Sequence, residues 1–213
     1  MPGKIKIVYF DMNGGRGQPM RLTLAMGGIP FEDERFKFAQ FAEYKEKAPL
    51  GAFPTMEVDG KIFCQTGAML RYCGKLANMY PTEAIAQMKC DMMVDCTMEF
   101  YENIGPTVRE KDEKKKMEMR AALNSEKLPQ LLANIEKCLS AEPSEYACGD
   151  KPTIADIMIY CQNQWISSGI LDGIDADLSS KYPKFQGIAR KVDGLPKIKE
   201  WNDKTGFKSV FAE

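Results

Sequence analysis

Hydrophobic and polar positions change period along the chain. Lys4–Phe10, KIKIVYF, alternates and then turns apolar, the mark of a strand passing from half-buried to buried. Gly14, Gly15 and Gly17 follow as a flexible turn. Gln18–Met26 sets Met20, Leu24 and neighbouring Ala25 on one helical face and is ended by Gly27-Gly28. Phe31–Phe36 predicts a second strand and Ala39–Lys47 a short polar helix. Thr55–Val58 and Lys61–Cys64 flank Asp59-Gly60, a strong signal for a two-residue hairpin turn, and a helix is expected from Gln65 to about Leu76.

The pattern turns helical after Asn78-Met79-Tyr80-Pro81. A long helix opens near Thr82, with Met88, Met92, Cys96, Phe100 and Ile104 recurring every fourth residue beside an acidic row of Asp91, Asp95 and Glu99. Lys111–Arg120 reads as a solvated charge run, and Leu123–Leu139 as an amphipathic helix. In GDKPTIADIMIY, residues 149–160, Thr153 and Asp156 have capping-box spacing before an apolar helix from Ile154 to Trp165. Those two residues are read as stabilising, without a chemical role. Two domains are expected, residues 1–78 and 79–213, packed closely because no low-complexity linker separates them.

Composition narrows the chemistry. The chain has 213 residues and a net charge of −1, which gives no global reason to expect nucleic acid or an anionic membrane as partner. No apolar run approaches a membrane span, and the N-terminus runs directly into a strand pattern, so a cytoplasmic protein is expected. Seven cysteines lie at wide spacings without a Cys-x-x-Cys, as expected for small core residues in a reducing compartment. There is no histidine, which excludes a Ser-His-Asp triad, a Cys-His pair and a His-Glu-x-x-His zinc site. No metal is expected.

Two segments suggest a ligand site. In GAFPTMEVDGKIFCQTG, residues 51–67, Pro54 stands at the mouth of the hairpin, and Gln65-Thr66 offers polar side chains and free N–H groups at a helix start. Tyr9 ends the first strand just before the glycine turn, a position where a half-buried packing tyrosine is the common occupant.

Together with YFDMNGGRGQPMRL, QTGAMLRYCGK and GDKPTIAD, these segments resemble a cytosolic glutathione transferase of the tyrosine-type, sigma-like branch, with mu and alpha as neighbours. The resemblance spans the chain in the right order. It implies an α/β thioredoxin-like N-terminal domain followed by an all-α C-terminal domain, in a homodimer that uses glutathione as co-substrate. Tyr9 would then donate a hydrogen bond to the glutathione sulfur, with Arg16 adding positive charge. The proline matching Pro54 is cis in the family, which presents the Phe53 backbone to the cysteinyl part of the tripeptide, while Gln65 and Thr66 hold the γ-glutamyl carboxylate. Phe41 and Lys45 fall where the glycyl end is held. Asp95, or alternatively Asp91, would reach the neighbouring subunit's glutathione. Met12, Asn13, Phe100, Tyr101 and Ile104 would line a pocket for a small apolar electrophile. The chain departs from the sigma pattern at the extra glycine of Gly14-Gly15, at Phe41 for tryptophan, at Ala52 for lysine and at Thr66 for serine. Alternatives to conjugation are a glutathione-dependent isomerase of the prostaglandin-converting kind and a non-enzymatic carrier or structural relative of lens-crystallin type.

Overall fold

The computed structural model describes residues 3–141 and 144–212. Strands β1 (Ile5–Phe10), β2 (Glu32–Phe36), β3 (Thr55–Val58) and β4 (Lys61–Cys64) form one mixed sheet in the order β2-β1-β3-β4. β1 pairs parallel to β2, with Tyr9 opposite Arg35, and antiparallel to β3, with Val8 opposite Thr55. Alternation in β1 buries Ile5, Ile7 and Tyr9 and leaves the residues between them half-buried. The hairpin falls where the pattern put it. Asp59 (φ 50°) and Gly60 (φ 78°) both take the left-handed conformation that a two-residue turn between twisted strands requires.

The first helix, α1 (Gln18–Met26), matches its expected bounds. The expected helix over 39–47 is smaller: a 3₁₀ turn at Phe38–Gln40 leads into α2 (Phe41–Lys45). The Gln40 side chain accepts the Lys37 N–H at 3.0 Å, closing the chain into that tighter turn. α3 (Thr66–Leu76) follows β4 directly, through Gln65 at φ 75°.

Beyond the sheet the elements are helical: α4 (Ala84–Arg109), α5 (Glu113–Ala122), α6 (Leu128–Ala141), α7 (Ile154–Ser167), α8 (Pro183–Asp193) and α9 (Pro196–Thr205). This is a small thioredoxin-like mixed sheet followed by an all-α region. α7 is the apolar centre of the helices and packs against α1, α4 and α8. Its capping box forms. The buried Asp156 carboxylate accepts the Thr153 N–H (2.7 Å) and hydroxyl (2.8 Å), and also the Ala147 N–H (2.7 Å). Burial raises the pKa of this carboxyl, and those donors oppose the rise.

One expectation is corrected in the helices. The run Lys111–Arg120 is not wholly solvated, because Arg120 is buried and donates to Thr107 Oγ1 (3.2 Å) and the Asp172 carbonyl (3.0 Å). The fourth-residue row of α4 is not one buried face, since Met88 and Met92 are exposed while Phe100 and Ile104 are buried. Steps of four residues rotate about 40° each on a helix of 3.6 residues per turn, so Met88 and Ile104 point about 160° apart. No described helix is long and apolar enough to cross a membrane.

Candidate active site

Tyr9 ends its strand beneath the turn that follows. Its ring is 7% exposed, and its hydroxyl oxygen accepts the backbone N–H of Arg16 at 3.2 Å. Two glycines make that approach possible. A Cβ on Gly15, which has φ 63°, would stand 2.7 Å from the Tyr9 oxygen, and one on Gly17 would stand 2.6 Å from the ring. Gly14 is extended, and a Cβ there would meet only the Met12 methyl at 3.9 Å. The extra glycine therefore leaves Arg16 next to the phenol. Burial raises the Tyr9 pKa above its ordinary value, against the Arg16 N–H bond and the charges of Arg16 and Arg21. The phenol therefore keeps its proton at neutral pH. That proton has no acceptor among the described residues, so it is available to an incoming anion.

Arg16 is half-buried, with its guanidinium 5.4 Å from the centre of the Tyr101 ring. The Tyr101 hydroxyl donates to the Gly15 carbonyl at 3.3 Å, tying α4 to the turn. A second network fixes the same turn and leaves only a faint trace in the sequence. Arg21 is fully buried on α1 and donates to Asp33 Oδ1 (2.8 Å) and the Met12 carbonyl (2.8 Å). Arg35 bridges Asp33 Oδ2 (2.8 Å) and Asn13 Oδ1 (2.8 Å), and the Asn13 amide donates to the Thr205 carbonyl in α9 (3.2 Å). An arginine on an otherwise apolar helix face, with an alternating Asp33-x-Arg35 in the next strand, is the only trace of this network in the sequence.

On the other flank of the sheet end, the Phe53–Pro54 peptide bond is cis. The β3 registers stop at Thr55, so the Phe53 N–H and C=O lie outside both ladders. Around them Phe10, Phe36, Phe38, Phe41, Tyr44 and Phe53 form an aromatic cluster. Phe10 stacks on Phe38 at 4.3 Å and lies 5.9 Å from Phe41. Lys45 is exposed, with its ammonium 6.0 Å from the Phe41 ring.

Gln65 is exposed and Thr66 is buried at the start of α3. Gln65, Arg71, Met92 and Asp95 line a cleft of about 660 Å³ between α3 and α4. Arg71 donates to both acidic residues, at 2.6 Å to Asp91 and 2.8 Å to Asp95. Asp91 also accepts the Tyr80 hydroxyl (3.0 Å) and has a 33% exposed side chain, whereas that of Asp95 is 67% exposed. Of the two, Asp95 is the carboxylate open to a ligand.

Met12 and Asn13 line a separate cavity of about 250 Å³, together with Cys161, Gln164 and Trp165 of α7 and Phe207. Phe100, Tyr101 and Ile104 are not on its wall. They are 4%, 2% and 0% exposed, and Phe100 and Tyr101 pack behind Trp165 at 5.8 and 5.4 Å. The helical part of the wall comes from α7, which is buried on every side with polar Gln162, Asn163 and Gln164 among the buried residues, so its sequence gave no sign of which face would meet a ligand. Among the described residues no group of three or more His, Cys, Asp or Glu side chains could hold a metal.

Comparison with known proteins matches residues 6–75 to the family model for the glutathione S-transferase N-terminal domain and residues 98–205 to that for its C-terminal domain. Glutathione S-transferase 1 of Ascaris suum is 30% identical, over 92% of this chain and 94% of that protein. Hematopoietic prostaglandin D synthase of Mus musculus is also 30% identical, over 92% and 94%. Among solved structures, prostaglandin synthase D of Nilaparvata lugens superposes with a TM-score of 0.84 at 30% identity, covering 94% of this chain and 98% of that one.

Proposed function

The chain belongs to the glutathione S-transferase family and is a glutathione transferase, and from that premise we propose that it adds the glutathione thiolate to apolar electrophiles, with the Tyr9 hydroxyl holding the sulfur as an anion. The observation that carries this reading is the protonated, partly desolvated Tyr9 hydroxyl, whose oxygen is fixed by the Arg16 N–H while its own proton has no acceptor among the described residues. A thiol of pKa about 8.5 is only about 3% ionised at pH 7, and lowering that value by about 2 units takes roughly 2.7 kcal/mol of selective anion stabilisation. One charge-assisted hydrogen bond supplies about 1.5–3 kcal/mol, so no histidine base is needed. The half-buried Arg16 adds a positive charge nearby.

The same reading assigns the rest of the glutathione site. The free backbone of Phe53 beside cis-Pro54 pairs with the cysteinyl unit as an added strand would. Gln65, Thr66 and the N-terminal N–H groups of α3 receive the γ-glutamyl carboxylate. Lys45 supplies the charge for the glycyl carboxylate, with Phe41 as apolar backing. Asp95, rather than Asp91, takes the γ-glutamyl ammonium across a homodimer interface, because Asp91 is held by both Arg71 and Tyr80 whereas the more exposed Asp95 is held by Arg71 alone. The cavity beside Met12 and Asn13 receives the electrophile, and Tyr101 supports the Gly15-Arg16 turn from behind.

Prostaglandin D synthases among the similar proteins favour one second reading, a glutathione-dependent isomerase that uses the same thiolate. A chromogenic aryl halide mixed with protein and glutathione tests the first. Conjugation that falls steeply in Tyr9→Phe supports it, whereas wild-type protein that binds glutathione without conjugating it points to the isomerase or to a carrier.

A further inference from the structure

The segment after α9 supplies part of the wall of the cavity beside Met12 and Asn13, and a side chain of α7 holds it there. α9 stops at Gly206, whose φ of 66° lets the Phe207 N–H turn back to the Asn202 carbonyl at 2.9 Å. Phe207 then lines the cavity with Met12, Trp165 and Ile170. None of residues 207–212 is in a helix or strand. A terminal segment of that kind frays unless something ties it down.

Gln164 ties it down. This residue is 5% exposed and lines the same cavity, and both ends of its amide go to the segment. Its Nε2 donates to Ser209 Oγ at 3.0 Å, and its Oε1 accepts the Val210 N–H at 2.8 Å. An amide that gives one bond and takes another from adjacent residues fixes both the place and the direction of the chain it meets. Ser209 Oγ in turn accepts the Phe211 N–H at 3.1 Å, and the Arg190 guanidinium of α8 stands 4.6 Å from the centre of the Phe211 ring. Phe207 is therefore bracketed between the end of α9 on one side and the Gln164 amide two residues further on.

We propose that Gln164 is a positioning residue for the electrophile: by clasping Ser209 and Val210 it keeps Phe207 on the cavity wall, and so sets the affinity for the electrophile's apolar part. The proposal rests on the reading of this cavity as the electrophile's place. Calorimetric titration of the full-length protein with two probes tests it. S-(2,4-dinitrophenyl)glutathione carries an aryl group into the cavity, and S-methylglutathione does not, so the ratio of their affinities reads the wall. Ser209→Ala lies off the wall and touches only the clasp. It is expected to bind S-methylglutathione as the wild type does and the dinitrophenyl conjugate about threefold more weakly. Gln164→Leu removes both contacts and weakens the conjugate about fivefold or more. In a Phe207→Ala background neither change weakens the conjugate further, because the side chain being held is gone. Losses that persist in Phe207→Ala, losses in Ser209→Ala that fall equally on S-methylglutathione, or full affinity for the conjugate in both single variants overturns the proposal. A wild-type chain that binds S-methylglutathione as tightly as the conjugate overturns the place given to the electrophile and this proposal with it, and one that binds neither overturns the glutathione site as well.

Discussion

Tyr9 and the glycines over it lie within a few ångströms of one another, and the proposed chemistry rests on them. If Tyr9 lowers the thiol pKa from about 8.5 to about 6.5, Tyr9→Phe loses about 25-fold in conjugation rate at pH 7 and only about 1.3-fold at pH 9, where the free thiol also ionises. Burial pushes the phenol above its ordinary value, so its proton is retained throughout that range and the wild-type rate stays flat above its lower limb. Gly15→Ala places a methyl 2.7 Å from the phenol oxygen and forces an L-residue to a positive φ. It is expected to cost about 1–2 kcal/mol in denaturant unfolding and to move the thiol pKa back towards its free value. Gly14→Ala, at an extended φ with open space, leaves both unchanged and is the control. The sequence marked Tyr9 and a glycine turn, since both leave a local signature. It did not separate Gly14 from Gly15 and Gly17, because what distinguishes them is contact with a ring six or more positions away.

At the scale of elements, what was legible depended on how local the determinant is. The β3–β4 hairpin, α1 and the start of α7 are set by turn residues, alternation and caps within a few positions, and their bounds follow the pattern closely. Asp156 tests the last of these. It takes three hydrogen bonds in a buried site, and Asp156→Ala strands the Ala147 and Thr153 donors, with an expected loss of about 3 kcal/mol or more in thermal or denaturant unfolding and no change in the thiol pKa. α2 was overextended because the 3₁₀ turn and the aromatic cluster that truncate it involve partners from β1, β2 and the cis-proline loop. The α7 wall of the Met12 cavity was illegible for the same reason: a helix buried on every side, polar residues included, does not declare which face a neighbour leaves uncovered.

For the whole molecule, the open question is what meets the outer face of α4. Ile85, Met88 and Met92 are 73%, 67% and 45% exposed on one chain, next to the cleft that holds Gln65 and Asp95. The proposed homodimer, if formed through this face, would bury those side chains and complete the glutathione site from two subunits. Sedimentation is expected to give a dimer that Met88→Asp with Met92→Asp dissociates, and the KM for glutathione rises with dissociation. Asp95→Ala raises that KM about 10-fold or more while the dimer persists. A wild-type chain that sediments as a monomer at assay concentrations removes the cross-subunit role of Asp95. The change of period near Pro81 was visible in the sequence, but this face was not, since a row of every fourth residue winds from the outer surface to the core.

The central claim is that Tyr9 keeps bound glutathione ionised, and ultraviolet titration of the thiolate in the binary complex tests it most directly. The account predicts an apparent thiol pKa near about 6.5 in the wild-type complex and near about 8.5 in Tyr9→Phe with glutathione still bound. Two complexes that titrate together near the value of free glutathione would contradict it.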